Sequence, residues 1–213
     1  MCGRFARTVP AEKIAEVFGA KAAEAVPASW NCAPGRDVAI ILPEGSSFSV
    51  QKAFWGMMPV WGKGRLRQPL INIRSETLLE KRTFEQLLRQ GCCLIPADGF
   101  YEWKTEGRGK QPYFVRLPGG PLFFMAGLQD SEDAKKGCAV ITVRSGARIS
   151  SLHGRMPLSM DRDEGKAWLD GDTRSLLNKA QEPAGLEIWP VSSFVNNPRN
   201  DSPLCAAPLR KDP

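Results

Sequence analysis

Apolar residues in this chain come in short runs broken by glycine, proline and charged turns. Residues 38–42, 48–55, 92–95, 100–104, 113–117, 122–126, 138–143 and 186–191 read as strands, rich in β-branched and aromatic side chains. Helical spacing is rarer. Pro10 suits a first helical turn, and Ile14, Val17 and Phe18 form an apolar stripe that ends at Gly19. Residues 75–89 read as one broken helix or two successive ones: Ser75 can cap the first, Thr83 with Gln86 resembles a capping box, and Gly91 closes the second. Asp161 with Glu164 repeats the capping pattern ahead of Trp168 and Leu169. The turn sequences at 106–109 and 118–121 are short, which favours antiparallel hairpins over βαβ crossovers. Together these imply an α+β fold with a curved, barrel-like antiparallel core flanked by short helices.

Composition narrows the class. A chain of 213 residues fits one domain spanning 1–213, with the last ten or so expected to form a peripheral tail. No apolar stretch is long enough for a membrane span and no export signal precedes the chain, so a cytoplasmic protein is expected, or a nuclear one in a eukaryote. Six cysteines show no C-x-x-C pair, and with one histidine a zinc site lacks ligands; the five internal cysteines read as reduced thiols, and no metal or cofactor is implied. A net charge of +6 is compatible with a polyanionic partner, although its loop clusters at 63–67 and 104–110 would look the same as solvated turns.

Four places carry candidate chemistry. The chain begins Met1-Cys2-Gly3-Arg4-Phe5, so loss of Met1 would put an α-amine and a thiol on adjacent carbons. An α-amine titrates at about 7.7–8.0, so near neutrality a useful fraction can attack an aldehyde, and the thiol can then close a thiazolidine. In the 69–76 segment Asn72 and Arg74 would share one side of an extended chain, where Arg can grip phosphate and Asn can offer a donor and an acceptor; a surface ion pair and a turn asparagine would read the same. Glu102 sits among Phe100, Tyr101 and Trp103, where burial would raise its pKa towards acid–base use and Trp103 could stack on a base; a structural ion-paired Glu reads equally well. His153, in a Gly-Pro-bounded loop two residues before Arg155, suits proton transfer at neutral pH or a structural role. The prolines and aromatics around Pro34 and Trp61 fit either core and turn or a stacking wedge.

Taken in order, the N-terminal Cys2-Gly3-Arg4-Phe5, Asn31-Cys32-Ala33-Pro34, Trp55-Gly56 with Pro59 and Trp61, Asn72-Ile73-Arg74-Ser75-Glu76-Thr77, the 96–103 block Pro-Ala-Asp-Gly-Phe-Tyr-Glu-Trp, and His153-Gly154-Arg155-Met156-Pro157 resemble the SOS response-associated peptidase (SRAP) family from Cys2 to about Asn197. The resemblance implies a sensor and shield of abasic sites in single-stranded DNA that forms a covalent crosslink through Cys2, with lyase side activity and self-reversal; a monomer is expected. Asn72 would orient Cys2 and the sugar, Glu102 would shuttle protons, and His153 would assist ring opening and release. Arg74 and Arg155 would hold flanking phosphates, Arg4 would join the DNA contacts, and Trp103, Trp61 and Pro34 would shape the strand's path. A thiol peptidase using the N-terminal cysteine and a non-covalent single-strand binding module are the alternatives. The chain departs from the family pattern at Ile73, at Cys32 and at residues 143–147, where an Ala-Asn pair is usual; there Arg144 and Arg148 are expected, on charge alone, to add phosphate contacts.

Overall fold

In a computed structural model of the protein, residues 2–118, 122–130, 132, 136–179 and 182–209 are described. Fourteen strands follow in chain order: β1 Phe5–Arg7, β2 Lys21–Ala22, β3 Ser29–Cys32, β4 Asp37–Glu44, β5 Ser47–Trp55, β6 Asn72–Arg74, β7 Cys92–Ala97, β8 Gly99–Glu106, β9 Gly109–Arg116, β10 Phe123–Gln129, β11 Gly137–Arg144, β12 Arg155–Pro157, β13 Ser159–Met160 and β14 Glu187–Pro190. The helices are α1 Ala11–Phe18, α2 Ser75–Glu80, α3 Glu85–Gln90, α4 Ala147–Ser150, α5 Arg162–Leu169 and α6 Thr173–Lys179. The fold is α+β. No helix among the described residues is long and apolar enough to cross a membrane.

The larger sheet runs β12-β11-β10-β7-β4-β5-β2, and a further β11–β5 pairing brings the path back on itself, giving a partly closed, barrel-like core. Every residue of β7 and β10 is buried. Such strands lie between the barrel interior and an outer cover, which is why they read as continuous apolar runs rather than alternating ones. The cover is helical. In α5, Trp168 Nε1 donates to the Cys93 carbonyl at 3.2 Å, and a Cβ on Gly165 would stand 2.8 Å from Leu94, so glycine is what lets the helix sit this close. The Asp161–Glu164 capping box forms as expected. In α1 the buried residues are Ala11, Ile14, Ala15 and Phe18, while Val17 falls off the stripe and is exposed.

Other expectations resolve differently. Ser75 is the first residue of α2, capped by none of its own side-chain bonds, and Thr83 lies in a 3-10 turn between α2 and α3 rather than in a capping box. Gly91 does close α3, and it has a packing reason to be glycine: a Cβ there would meet the Gln129 carbonyl oxygen at 2.3 Å. Three pairings are parallel, β2–β5, β5–β11 and β6–β11, within a mostly antiparallel core. The 106–109 turn makes the β8–β9 hairpin. By contrast β9 and β10 belong to different sheets and do not pair with each other, while residues 119–121 of the expected 118–121 turn lie outside the described residues.

The second sheet runs β14-β9-β8-β1-β3. Its decisive feature is the N-terminal strand, which inserts between β8 and β3 instead of fraying at an edge: Phe5 pairs with Phe100 on one side and Cys32 on the other. Phe5 also packs on Trp55 of the barrel, ring centroids 5.1 Å apart, and Trp55 Nε1 donates to the Ile71 carbonyl at 2.9 Å. Fully burying an aromatic side chain is worth roughly 1.5–3 kcal/mol, so this contact fixes the start of the chain between the sheets. At the other end, the described part of the expected tail is tied back, with Leu209 N donating to the Pro190 carbonyl at 2.9 Å.

Candidate active site

Because β1 is an interior strand, Cys2 just ahead of it is wholly buried. Asn72, at the start of β6, donates from Nδ2 to the Cys2 carbonyl at 2.8 Å, across 70 residues of sequence. Its Oδ1 is buried and has no hydrogen-bond partner among the described residues, leaving an acceptor next to the cysteine. Burial pushes the Cys2 thiol far up from its ordinary value, and the Glu102 carboxylate adds to the rise. The thiol is therefore protonated at neutral pH, and chemistry that needs a thiolate at the outset is disfavoured.

Glu102 is reached through the same strand pairing. Tyr101 N donates to the Arg4 carbonyl at 3.0 Å, aligning β8 with the chain just after Cys2, and Glu102 follows with only 2 % of its surface exposed. Its carboxyl is raised, first by burial, while His153 pulls in the opposite direction. Both residues line one open depression together with Trp103, Lys110 and Asn196. His153 is fixed by its backbone: its N–H donates to the Ile149 carbonyl at 2.9 Å and Ser145 Oγ donates to its carbonyl at 2.8 Å. The ring Nδ1 lies 3.0 Å from Arg155 N and 3.2 Å from the Arg155 carbonyl oxygen, so the Arg155 backbone fixes the orientation of the ring.

The structure thus brings together Cys2, Asn72, Glu102 and His153 from four separate segments, with Trp103 beside them. The SOS response associated peptidase (SRAP) model matches residues 1–198. The chain belongs to the SRAP family. Among its SRAP relatives, the Bacillus subtilis abasic site processing protein YoqW is 34% identical over 95% of this chain and 97% of its own. The chicken abasic site processing protein HMCES is 35% identical over 73% of this chain and 56% of its own. A crystal structure of a protein from Bacteroides thetaiotaomicron shares the fold at a TM-score of 0.82 with 20% identity, covering 98% of this chain and 100% of that one.

Other residues that the SRAP resemblance singles out are placed less uniformly. Arg74 is exposed at the end of β6, with no side-chain partner among the described residues. Arg155 is mostly internal, its guanidinium forked on Glu76 at 2.9 and 3.1 Å and bonded to Thr142. Arg4 donates to Asn31 Oδ1 at 2.7 Å and to the Val195 carbonyl at 2.9 Å. Asn31 in turn donates to the carbonyls of Val195, Asn197 and Asn200, so this pair holds the 193–200 loop, from which Asn196 accepts the Trp103 indole N–H at 2.8 Å. Pro34 is half-buried in the β3–β4 turn. Trp61 stacks edge-on against Phe84 and lines a separate depression with Gln86, Gln129 and Asp130. Cys32 is accommodated as a buried thiol, pushed up to about 11 by desolvation.

Two lining residues, Lys110 and Asn196, were not singled out by the sequence. Lys110 is one of the basic residues of the 104–110 run that reads as a solvated turn, and only the β8–β9 hairpin carries it to the depression. Asn196 has no local signal at all, since it is presented through the Arg4–Asn31 bonds.

Proposed function

We propose that this protein captures abasic sites in single-stranded DNA as a covalent thiazolidine on Cys2, once removal of Met1 has freed the Cys2 amine. The convergence of Asn72 on the Cys2 carbonyl, beside buried Glu102 and His153, carries this reading. An open-chain abasic sugar presents an aldehyde at C1′. The Cys2 amine adds to it, the carbinolamine loses water, and the resulting imine carbon takes the thiol sulfur while the thiol proton ends on the ring nitrogen. The amine acts first, so a thiol held protonated by burial is no obstacle; a thiol peptidase would instead need a thiolate.

Each neighbour has a task in that sequence. Glu102, a carboxyl raised by burial, accepts the ammonium proton and returns one to the departing hydroxyl. His153, its ring held by the Arg155 backbone beside Glu102, assists ring opening of the sugar and the reverse step that frees the strand. Asn72 fixes the Cys2 carbonyl and offers Oδ1 to the incoming sugar. Holding amine and aldehyde together in good orientation can supply about 7–11 kcal/mol of the barrier. The same imine, once protonated, permits β-elimination of the strand as a side reaction.

Purified protein is incubated with an oligonucleotide carrying one abasic site and analysed by denaturing gel and intact mass. A stable adduct is expected with the Met1-free protein and none with Cys2→Ala or with Met1 retained. An adduct that persists in Cys2→Ala would falsify the mechanism.

A further inference from the structure

The cations beside the site are offered very unequally, and strand register shows how. In the parallel β6–β11 pair, Asn72 stands opposite Val140 and Arg74 opposite Thr142; in the antiparallel β11–β12 pair, Arg144 stands opposite Arg155. Partners across a ladder share a face, as do residues two apart along a strand. Asn72, Arg74, Thr142, Arg144 and Arg155 therefore lie on one face, in a row that begins at the Cys2 carbonyl.

Within that row Arg155 is already committed. Its Nε donates to Thr142 Oγ1 at 3.2 Å, Nη2 to the Thr142 carbonyl at 2.5 Å, and the fork is filled by both Glu76 oxygens, leaving 13% of the side chain exposed. Bidentate recognition of a phosphate needs an open fork. Arg144 has one: it is 89% exposed and its Nε lies 3.6 Å from Glu76 Oε1, a loose surface pairing that contributes little and is readily exchanged. Arg74 is exposed as well. Arg148 lies beyond the strand, on α4, with its backbone N–H held by Glu182.

We propose that Arg144, together with Arg74, takes the backbone phosphate beside the captured sugar, and that Arg155, its fork committed to Glu76 and Thr142, is a structural tie. The inference rests on single-stranded DNA being the substrate, and it moves the phosphate contact from Arg155 of the family motif to a residue in the 143–147 stretch, where the chain departs from the family pattern.

The test measures binding of an undamaged single-stranded oligonucleotide by anisotropy across a salt series, alongside the adduct assay on an abasic strand. Arg144→Gln should lower the log–log salt slope by about 0.7, as expected for one lost phosphate contact, and leave the unfolding midpoint in place. Arg174→Gln, an exposed charge of the same type on α6, should leave the slope unchanged. Arg155→Gln should lower the unfolding midpoint. An Arg144→Gln slope equal to the parent's, an equal drop in Arg174→Gln, or no salt-dependent binding at all overturns the proposal. Loss of the adduct with an Arg144-dependent slope intact would instead overturn the thiazolidine reading and leave this one standing.

Discussion

Replacing Asn72 by Ala tests whether the site is built around the Cys2 backbone. Among the described residues the side chain makes one hydrogen bond, from Nδ2 to the Cys2 carbonyl at 2.8 Å, and keeps Oδ1 buried without a partner. Truncation removes the donor and leaves the buried carbonyl unsatisfied, a loss of about 1–3 kcal/mol. If that loss falls on the step in which Cys2 meets the aldehyde, adduct formation slows by roughly 5- to 150-fold, at about 1.4 kcal/mol per decade. The orphaned Oδ1 sharpens the expectation: an acceptor kept buried without a donor in the free protein is an acceptor available to the substrate, so the rate should suffer more than the fold. The assay is a single-turnover time course of the denaturation-resistant adduct with an abasic oligonucleotide, run beside thermal unfolding. An adduct rate within twofold of the parent, combined with a clear fall in the unfolding midpoint, would refute the reasoning and make Asn72 a structural tie only.

Two further outcomes concern pH. Glu102 is raised by burial, so its folded state prefers the proton; the resulting penalty is absent below the unfolded value of about 4.3 and grows as pH rises through the folded value. Glu102→Gln should therefore be more stable than the parent at pH 7, with the gain vanishing towards pH 4 in urea titrations, while adduct formation is lost. Glu76 behaves oppositely: hydrogen bonds from Arg155 lower it from 4.5 to about 2, so its contribution is present above pH 4.5 and disappears as pH falls towards 2. With 40% of that side chain exposed, screening limits the contribution to about 1 kcal/mol, and Glu76→Gln should differ from the parent by that much at pH 7 and by little at pH 2 in the same titrations.

Much of the local structure was legible from residue pattern. The buried strands β7, β10 and β11 appear as apolar runs, the Asp161–Glu164 pair caps α5, and the 106–109 turn makes its hairpin. Asn72 and Arg74 do lie on one side of a short strand, as alternation requires. Val17 fell outside the buried stripe because an eight-residue helix buries a narrow face, and that face is centred on Ile14 and Phe18. β9 and β10 do not form a hairpin, because turn residues in a sequence state how the backbone can bend and not which sheet the next strand joins.

The chain's own sequence settled which chemical groups are present: a cysteine whose amine and thiol can act together, a carboxyl among aromatics, a single histidine, and cations close to each. Their arrangement was decided by pairings between segments far apart. The insertion of β1 between β8 and β3 brings Glu102 to Cys2, and the β6–β11 register turns Asn72 towards the Cys2 carbonyl. Glu76 occupies the Arg155 fork and leaves that of Arg144 open. Local periodicity specifies the face a residue takes within its own element; the partner it meets there depends on sheet order and register, which the packing of the whole core selects.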